Sequence, residues 1–229
     1  MCESFGNEWR LYSMKITIRE PGSALTHYIA MILAMFGAVP LLMKATYSQD
    51  ISHVVAMLIF ICSMVLLYGA STLYHSVNLT GKALKAFKKI DHMMIFVLIA
   101  GSYTPVCMLV LDKEQGYPLL GLVWGLAVIG MGVKFFWVTC PKWFSSVIYI
   151  AMGWVCVLVF RPLLNTLPLG AFLWLLIGGI IYTIGGVIYA LKVPFLDCLH
   201  KYFGLHEIFH LFIMGGSFCH FMFMFLYVA

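Results

Sequence analysis

Charged side chains are scarce in this sequence. Only 10% of its 229 residues are Asp, Glu, Lys or Arg, whereas 63% are hydrophobic. A soluble domain has about a quarter charged and about half apolar residues, and it could not hide this much apolar surface from water. The composition therefore excludes an ordinary soluble domain and favours a protein whose solvent is the lipid bilayer.

Paired cysteines are also lacking. The seven cysteines stand singly, with no CxxC and no spacing typical of a disulfide framework or a thiolate metal site. We expect most of them to serve as small hydrophobic side chains. No basic stripe is interleaved with aromatic residues, which argues against a nucleic-acid partner and leaves membrane lipids as the expected partners. The charged first 23 residues contain no short apolar core typical of a signal peptide.

Long apolar runs are what the sequence does contain. A helix needs about 20 mostly apolar residues to cross the roughly 30 Å hydrocarbon layer, and short connections join the successive runs. We therefore predict an all-α fold, with a seven-transmembrane-helix bundle as the single integral membrane domain of residues 1–229. The predicted spans are 24–46, 51–76, 90–111, 118–138, 144–161, 169–191 and 204–228. Each end of a span is defined to within roughly four residues.

The positive charges predict the orientation of the bundle, because Lys and Arg in short loops stay on the cytoplasmic side. Only three of these residues, Lys44, Lys113 and Arg161, fall on the face opposite the N-terminus. The N-terminal segment and the loops on its side hold the other eleven: Arg10, Lys15, Arg19, Lys82, Lys85, Lys88, Lys89, Lys134, Lys142, Lys192 and Lys201. We predict a cytoplasmic N-terminus (residues 1–23) and an external C-terminus, the reverse of the common G-protein-coupled receptors.

Five polar side chains are predicted to converge at the cytoplasmic end. Ionisable groups inside spans are costly and are therefore functional candidates. Ser71 and His75 lie one helical turn apart at the end of the second span. Asp91 opens the third span, and His206 and His210 open the seventh with the i, i+4 spacing that suits two metal ligands. Because alternate spans run in opposite directions, all five residues are expected at one depth.

Three histidines at one depth predict a zinc site. Three neutral imidazoles suit Zn²⁺, and three protein ligands with an open fourth position are typical of catalytic zinc, whose bound water has a pKa of about 7. Asp91 is a candidate general base, or it could orient a histidine from outside the metal ligands. Ser71 could hydrogen-bond the same water or hold Asp91 in place.

Other polar residues receive more ordinary interpretations. A single histidine in an apolar helix usually packs or bonds to a neighbouring helix, and we expect this of His27, His53 and His220. The segment from His206 to His210 also matches the HExxH pattern of zinc proteases, in which the Glu is the base. Glu207 is turned about 100° from its neighbour on a helix, so Asp91 is the better candidate for the base.

At these residues the sequence resembles the progestin and adiponectin receptor family, and within it the bacterial hemolysin III-like branch. Ser71-x-x-x-His75 resembles the first motif of the family, Asp91 the second, and His206-x-x-x-His210 followed by His220-Phe221 the third. The resemblance implies that the three histidines of these motifs bind zinc, with Asp91 and Ser71 beside the metal-bound water. The family also resembles membrane-embedded alkaline ceramidases, which implies hydrolysis of a lipid amide, and the bacterial branch implies the inner membrane.

We therefore predict a zinc-dependent lipid amidohydrolase. The alternative is a non-enzymatic regulator of membrane homeostasis, or a lipid-sensing receptor, in which zinc links the second and seventh spans. A cytolysin is disfavoured because a secreted pore-former must be soluble before it inserts. A transporter is also disfavoured, because the ionisable groups crowd one end of the bundle instead of forming a path across it.

Overall fold

The structure is a computed structural model that describes residues 18–192 and 203–229. Within this part of the chain, seven helical segments are long and apolar enough to cross a membrane, so the predicted all-α seven-span fold is confirmed. They are Pro21–Thr46, Ile51–Ser76, Gly81–Val110, Lys113–Phe136, Lys142–Thr166, Leu169–Leu191 and Leu205–Val228. Arg10, Lys15 and Lys201, which contribute to the predicted orientation, lie outside the described residues, and the orientation remains a prediction.

Several spans contain a short change of helix type. The elements are α1 (Pro21–Thr46), α2 (Ile51–Ser76), α3 (Gly81–Pro105) with a π turn at Val106–Val110, α4 (Lys113–Phe136), α5 (Lys142–Gly153) and α6 (Phe160–Thr166) joined by a 3₁₀ turn at Trp154–Val159, α7 (Leu169–Leu191), and α8 (Leu205–Phe223) with a π turn at Met224–Val228. Local chemistry explains where two of these helices begin. Proline opens α1, where its missing N–H is not needed, and Asp50 caps α2 by accepting a hydrogen bond from the Ser52 backbone at 2.9 Å.

The third helix begins nine residues before the predicted span 90–111. Lysines occupy its first turns, and Lys82 and Lys85 are exposed. The apolar segment marks where a helix can cross lipid, whereas the helix itself continues into the polar region for as long as its charged side chains remain solvated. The prediction therefore located the apolar part of this element and not its helical start.

The fifth span is interrupted where α5 ends. Tyr103 of α3 reaches this break: its hydroxyl donates to the Gly153 carbonyl oxygen at 2.5 Å and accepts from the Cys156 backbone N–H at 2.8 Å. Backbone groups released from a helix inside lipid must find other partners. The Tyr103 hydroxyl supplies them, which allows α5 and α6 to continue the span as two shorter helices.

The helices close into a ring. α1 packs against α2, α2 against α3, and α3 against both α4 and α5, while α5 packs against α7, α7 against α8 and α8 against α1. The last contact returns the end of the chain to its beginning. We call the end of the bundle where α1, α3, α5 and α8 begin the basic end. It is the end predicted to be cytoplasmic, and it carries the candidate site.

Candidate metal centre

The structure brings the three predicted histidine ligands together at the basic end. His75 lies in the last turn of α2, and His206 and His210 lie in the first turns of α8. One ring nitrogen from each lies within 4.8 Å of the others. The Nε2 atoms of His75 and His206 are 3.2 Å apart, and nitrogens that share a tetrahedral zinc ion are roughly 3.3 Å apart. The donor set therefore fits a divalent metal such as Zn²⁺.

Outer partners hold two of these rings in the orientation that a metal requires. His75 Nδ1 bonds to the Glu20 carboxylate at the start of α1. His210 Nδ1 lies 3.0 Å from Thr26 Oγ1, which itself donates to the Ser23 carbonyl oxygen at 2.9 Å and so must accept from the imidazole. In both rings Nδ1 therefore carries the proton, and Nε2 keeps its lone pair for a metal. Partners of this kind fix the tautomer and raise the basicity of metal-binding histidines.

Glu20 is well suited to this task because it stays ionised. Its hydrogen bond to His75 lowers the pKa of the carboxyl group to about 2, and the charges of His75 and Arg19 act in the same direction against a smaller opposing effect of burial. The Arg19 guanidinium also lies 3.2 Å from Glu20 Oε2 and 4.3 Å from the centre of the Tyr74 ring. Glu20 thus places a fixed negative charge behind His75.

Asp91 and Ser71 are both buried beside this cluster. Asp91 is 7% exposed, and its Oδ2 lies at ion-pair distance from His92 Nδ1, 3.3 Å, without hydrogen-bond geometry. The Asp91 carboxylate also interacts electrostatically with His75 and His27. Ser71 is 1% exposed, and its hydroxyl has no hydrogen-bond partner among the described residues. An orphaned buried hydroxyl one turn from His75 is what a site for a bound ligand or water would contain.

A large apolar cavity begins next to the histidines. It has a volume of about 180 Å³, and residues of α2 to α8 line it. Phe209, which lies between His206 and His210 in sequence, is part of its wall, and Leu163 and Phe172 line it towards the opposite end of the bundle. A long apolar ligand could therefore extend away from the metal centre between the helices.

Comparison with known proteins assigns the family. A model of the family described as "Haemolysin-III related" matches residues 16–221. The chain belongs to the haemolysin-III-related family. It is 38% identical to "Hemolysin-3" of Bacillus cereus over 199 residues, 86% of either chain. It is also 37% identical to the "Hemolysin-3 homolog" of Bacillus subtilis (strain 168) over 203 residues, 88% of this chain and 91% of the relative. "Progestin and adipoQ receptor-like protein 1" of Caenorhabditis elegans is 24% identical over 243 aligned positions, 96% of this chain and 52% of that protein. The predicted family is thereby confirmed.

Sequence reasoning missed the contribution of α1 to the site of this haemolysin-III-related protein. Besides Glu20 and Thr26, α1 supplies His27, whose ring stacks on His210 with centroids 3.5 Å apart and planes within 9°. His27 was expected to pack, and it does, but it packs on a candidate ligand. A signal was present in the sequence: Glu20, Ser23 and His27 follow the i, i+3, i+7 spacing of one helix face at the start of the first apolar span.

The HExxH glutamate has a different position from the one it occupies in zinc proteases. Glu207 accepts a hydrogen bond from the Ser23 hydroxyl through Oε1 and one from the Gly204 backbone N–H through Oε2, at 2.8 Å. It therefore caps α8 and ties it to α1. Both carboxylate oxygens are engaged, which favours Asp91 over Glu207 as a base.

Proposed function

We propose that this chain is a zinc-dependent hydrolase of lipid amides in the bacterial inner membrane, with its active centre at the cytoplasmic end. The observation that carries the proposal is the nearness of the histidine cluster to the apolar cavity. Phe209 lines this cavity, and its ring centre lies 6.3 Å from the ring centres of His206 and His210. A polar centre with three imidazoles therefore lies one aromatic side chain away from a space that a hydrocarbon chain would fill well. This combination suits a substrate with a polar head and a long acyl tail.

The metal would be held by His75, His206 and His210, and when bound it would polarise the amide carbonyl and make a water molecule nucleophilic at neutral pH. Asp91 would accept the proton of that water, and its burial would keep bulk solvent from competing for the same proton. The Ser71 hydroxyl supplies a hydrogen-bonding group at the same place. Glu20 and Thr26 hold the rings so that no reorientation is needed during the reaction.

The cavity would hold the acyl chain. Its walls are almost entirely apolar, and it extends from Phe209 beside the ligands to Phe172 in the first turn of α7, at the opposite end of the bundle. Binding energy gained along the chain would position the amide at the metal. We therefore expect activity to depend on the length of the acyl chain as well as on the headgroup.

A second candidate function is supported by the contacts of α1. Glu20 and Thr26 bond to the candidate ligands of α2 and α8, so a bound metal would fasten three helices to one another. A lipid that enters the cavity could then shift the bundle between two states without turnover. This is the regulator or lipid-sensing receptor alternative, and it needs the same histidines.

Metal content and turnover of the purified protein test these proposals. Elemental mass spectrometry should find about one zinc per chain in the wild type and none in His206→Ala, while His53→Ala, at the opposite end of the bundle, should retain it. Asp91→Asn should keep zinc but release fatty acid from a lipid amide about a hundredfold or more slowly, because general bases contribute about 10²–10⁴ in rate. Zinc without any turnover in the wild type would favour the receptor, and a folded wild type without zinc would refute both proposals.

A further inference from the structure

A second, smaller cavity lies at the basic end between α3 and the start of α5. Its volume is about 80 Å³. Lys88 and Lys142 line it, together with His92 and Ser145. None of the described residues in its wall is an Asp or a Glu. The charged side chains among its described lining residues are cationic, and a concave polar surface of this kind attracts anions.

A third lysine lies directly behind this wall. Lys134, near the end of α4, is 0% exposed, and its Nζ lies 2.5 Å from Ser145 Oγ and 3.1 Å from Cys140 Sγ, two atoms of residues that line the cavity. Within residues 18–192 and 203–229, no carboxylate lies within ion-pair distance of this nitrogen. A buried ammonium group is costly without a counter-charge. An anion that accepts the Ser145 hydroxyl proton, in place of the long 3.4 Å bond to the Pro141 carbonyl oxygen, would supply that charge.

Helix α5 adds backbone donors to the same place. It begins at Lys142, and no side chain caps its N-terminus. The first N–H groups of a helix have no partner within the helix and carry a partial positive charge. Ser145 and Ser146, in this first part of α5, both line the cavity. Ammonium groups, a hydroxyl and helix-terminal N–H groups together match a tetrahedral oxyanion such as phosphate.

The small cavity adjoins both the apolar cavity and the metal centre. Ile95, Ser146 and Tyr149 line both cavities, so the two spaces share a wall. Tyr189 also lines the small cavity, and its ring centre lies 5.7 Å from that of His206. A phosphate bound here would therefore lie close to the start of the acyl cavity and one aromatic ring away from a metal ligand.

We propose that the small cavity is a phosphate site, and that it binds the phosphate headgroup of an amphiphile whose chain occupies the apolar cavity. The identification of this amphiphile as the substrate rests on the proposed hydrolase function. For that function, the phosphate site specifies a lipid amide that bears a phosphate group as the substrate. The binding site itself does not depend on turnover.

Equilibrium binding of short-chain lipids to the purified full chain in zwitterionic nanodiscs tests the site. Dioctanoyl phosphatidic acid should bind at least tenfold more tightly than dioctanoylglycerol, which has the same chains and no phosphate. Lys88→Gln and Lys142→Gln should each weaken phosphatidic acid binding by about tenfold, the effect of losing one charge-assisted contact. Lys85→Gln, an exposed lysine one turn before Lys88, should have no effect.

Additional binding measurements distinguish the possible outcomes. Inorganic phosphate that binds as tightly as phosphatidic acid, with the same dependence on the two lysines, would support the site and assign it to free phosphate. Equal binding of dioctanoylglycerol, or no effect of either lysine substitution, would overturn the proposal. Lys142→Arg should restore binding, which distinguishes loss of charge from loss of fold. Wild-type protein treated with a chelator should bind phosphatidic acid like the untreated wild type, so a failure of the zinc hydrolase proposal would leave this result unchanged.

Discussion

Replacement of Glu20 offers a quantitative test of the metal centre. The Glu20 carboxylate bonds to His75 Nδ1, so it fixes both the tautomer of the ring and the direction of its Nε2. Removing such an outer partner typically costs 10- to 100-fold in metal affinity. Gln keeps an oxygen that can accept a hydrogen bond from the Nδ1–H group, but it lacks the negative charge. Glu20→Gln should therefore weaken zinc binding about tenfold, which corresponds to about 1.4 kcal/mol. Glu20→Ala, which has no acceptor, should approach a hundredfold, or about 2.7 kcal/mol.

Zinc affinity would be measured by competition with a chelator of known affinity at pH 7.5. The pKa of Glu20 falls from its ordinary value of 4.5 to about 2 on folding. Its contribution to stability is therefore fully present above pH 4.5 and is lost only as the pH falls towards 2, so the carboxylate is ionised throughout the assay. Glu114→Gln, an exposed acid at the start of α4, is the matched control and should leave the affinity unchanged. Equal zinc affinity of the wild type and Glu20→Ala would refute the role assigned to Glu20.

Three further predictions concern packing and topology. Gly116→Ala should lower the free energy of unfolding by about 3 kcal/mol, because the new methyl group would lie 2.0 Å from a backbone carbonyl oxygen of the π turn that follows α3. The control Gly125→Ala has open space around the new methyl group and should keep the melting temperature of the wild type in detergent. Tyr103→Phe should cost about 1–3 kcal/mol by leaving the backbone groups at the break in the fifth span unpaired, whereas Tyr117→Phe, at an exposed position, should melt like the wild type. A reporter fused after Ala229 should be accessible only from outside the cell, and a cytoplasmic reporter would contradict the predicted orientation.

Apolar runs predicted the spans because lipid imposes a single requirement on every crossing helix. The convergence of His75, Asp91 and His206 at one end followed from counting alternating spans, without any knowledge of which helices touch. Both inferences depend only on position along the membrane normal. The start of α3 depends instead on how far a helix continues into the polar region. The apolar run does not record this distance, and the helix begins nine residues before the predicted span.

Contacts around the ring of helices could not be predicted in the same way. Glu20, Thr26 and His27 reach the site only because α8 packs against α1, and the order in which helices pack laterally is not encoded in their apolar periodicity. Likewise, the small cavity depends on the approach of α3 to α5, and the burial of Lys134 depends on its contact with Ser145. The spacing of polar residues on α1 indicated a functional face but not the partner of that face.

The described residues offer three candidate ligands, which is the number typical of catalytic and not of structural zinc sites. Structural zinc in proteins almost always has four protein ligands, whereas catalytic zinc has three and an open position. In the described part of the chain the cluster offers three ring nitrogens. His27, the nearest further histidine, stacks face to face on His210 and is not among the mutually close donors. Among the described residues, a metal held by these three histidines would keep its fourth position for a small molecule, and the Ser71 hydroxyl, which has no partner there, would supply a hydrogen-bonding group for it.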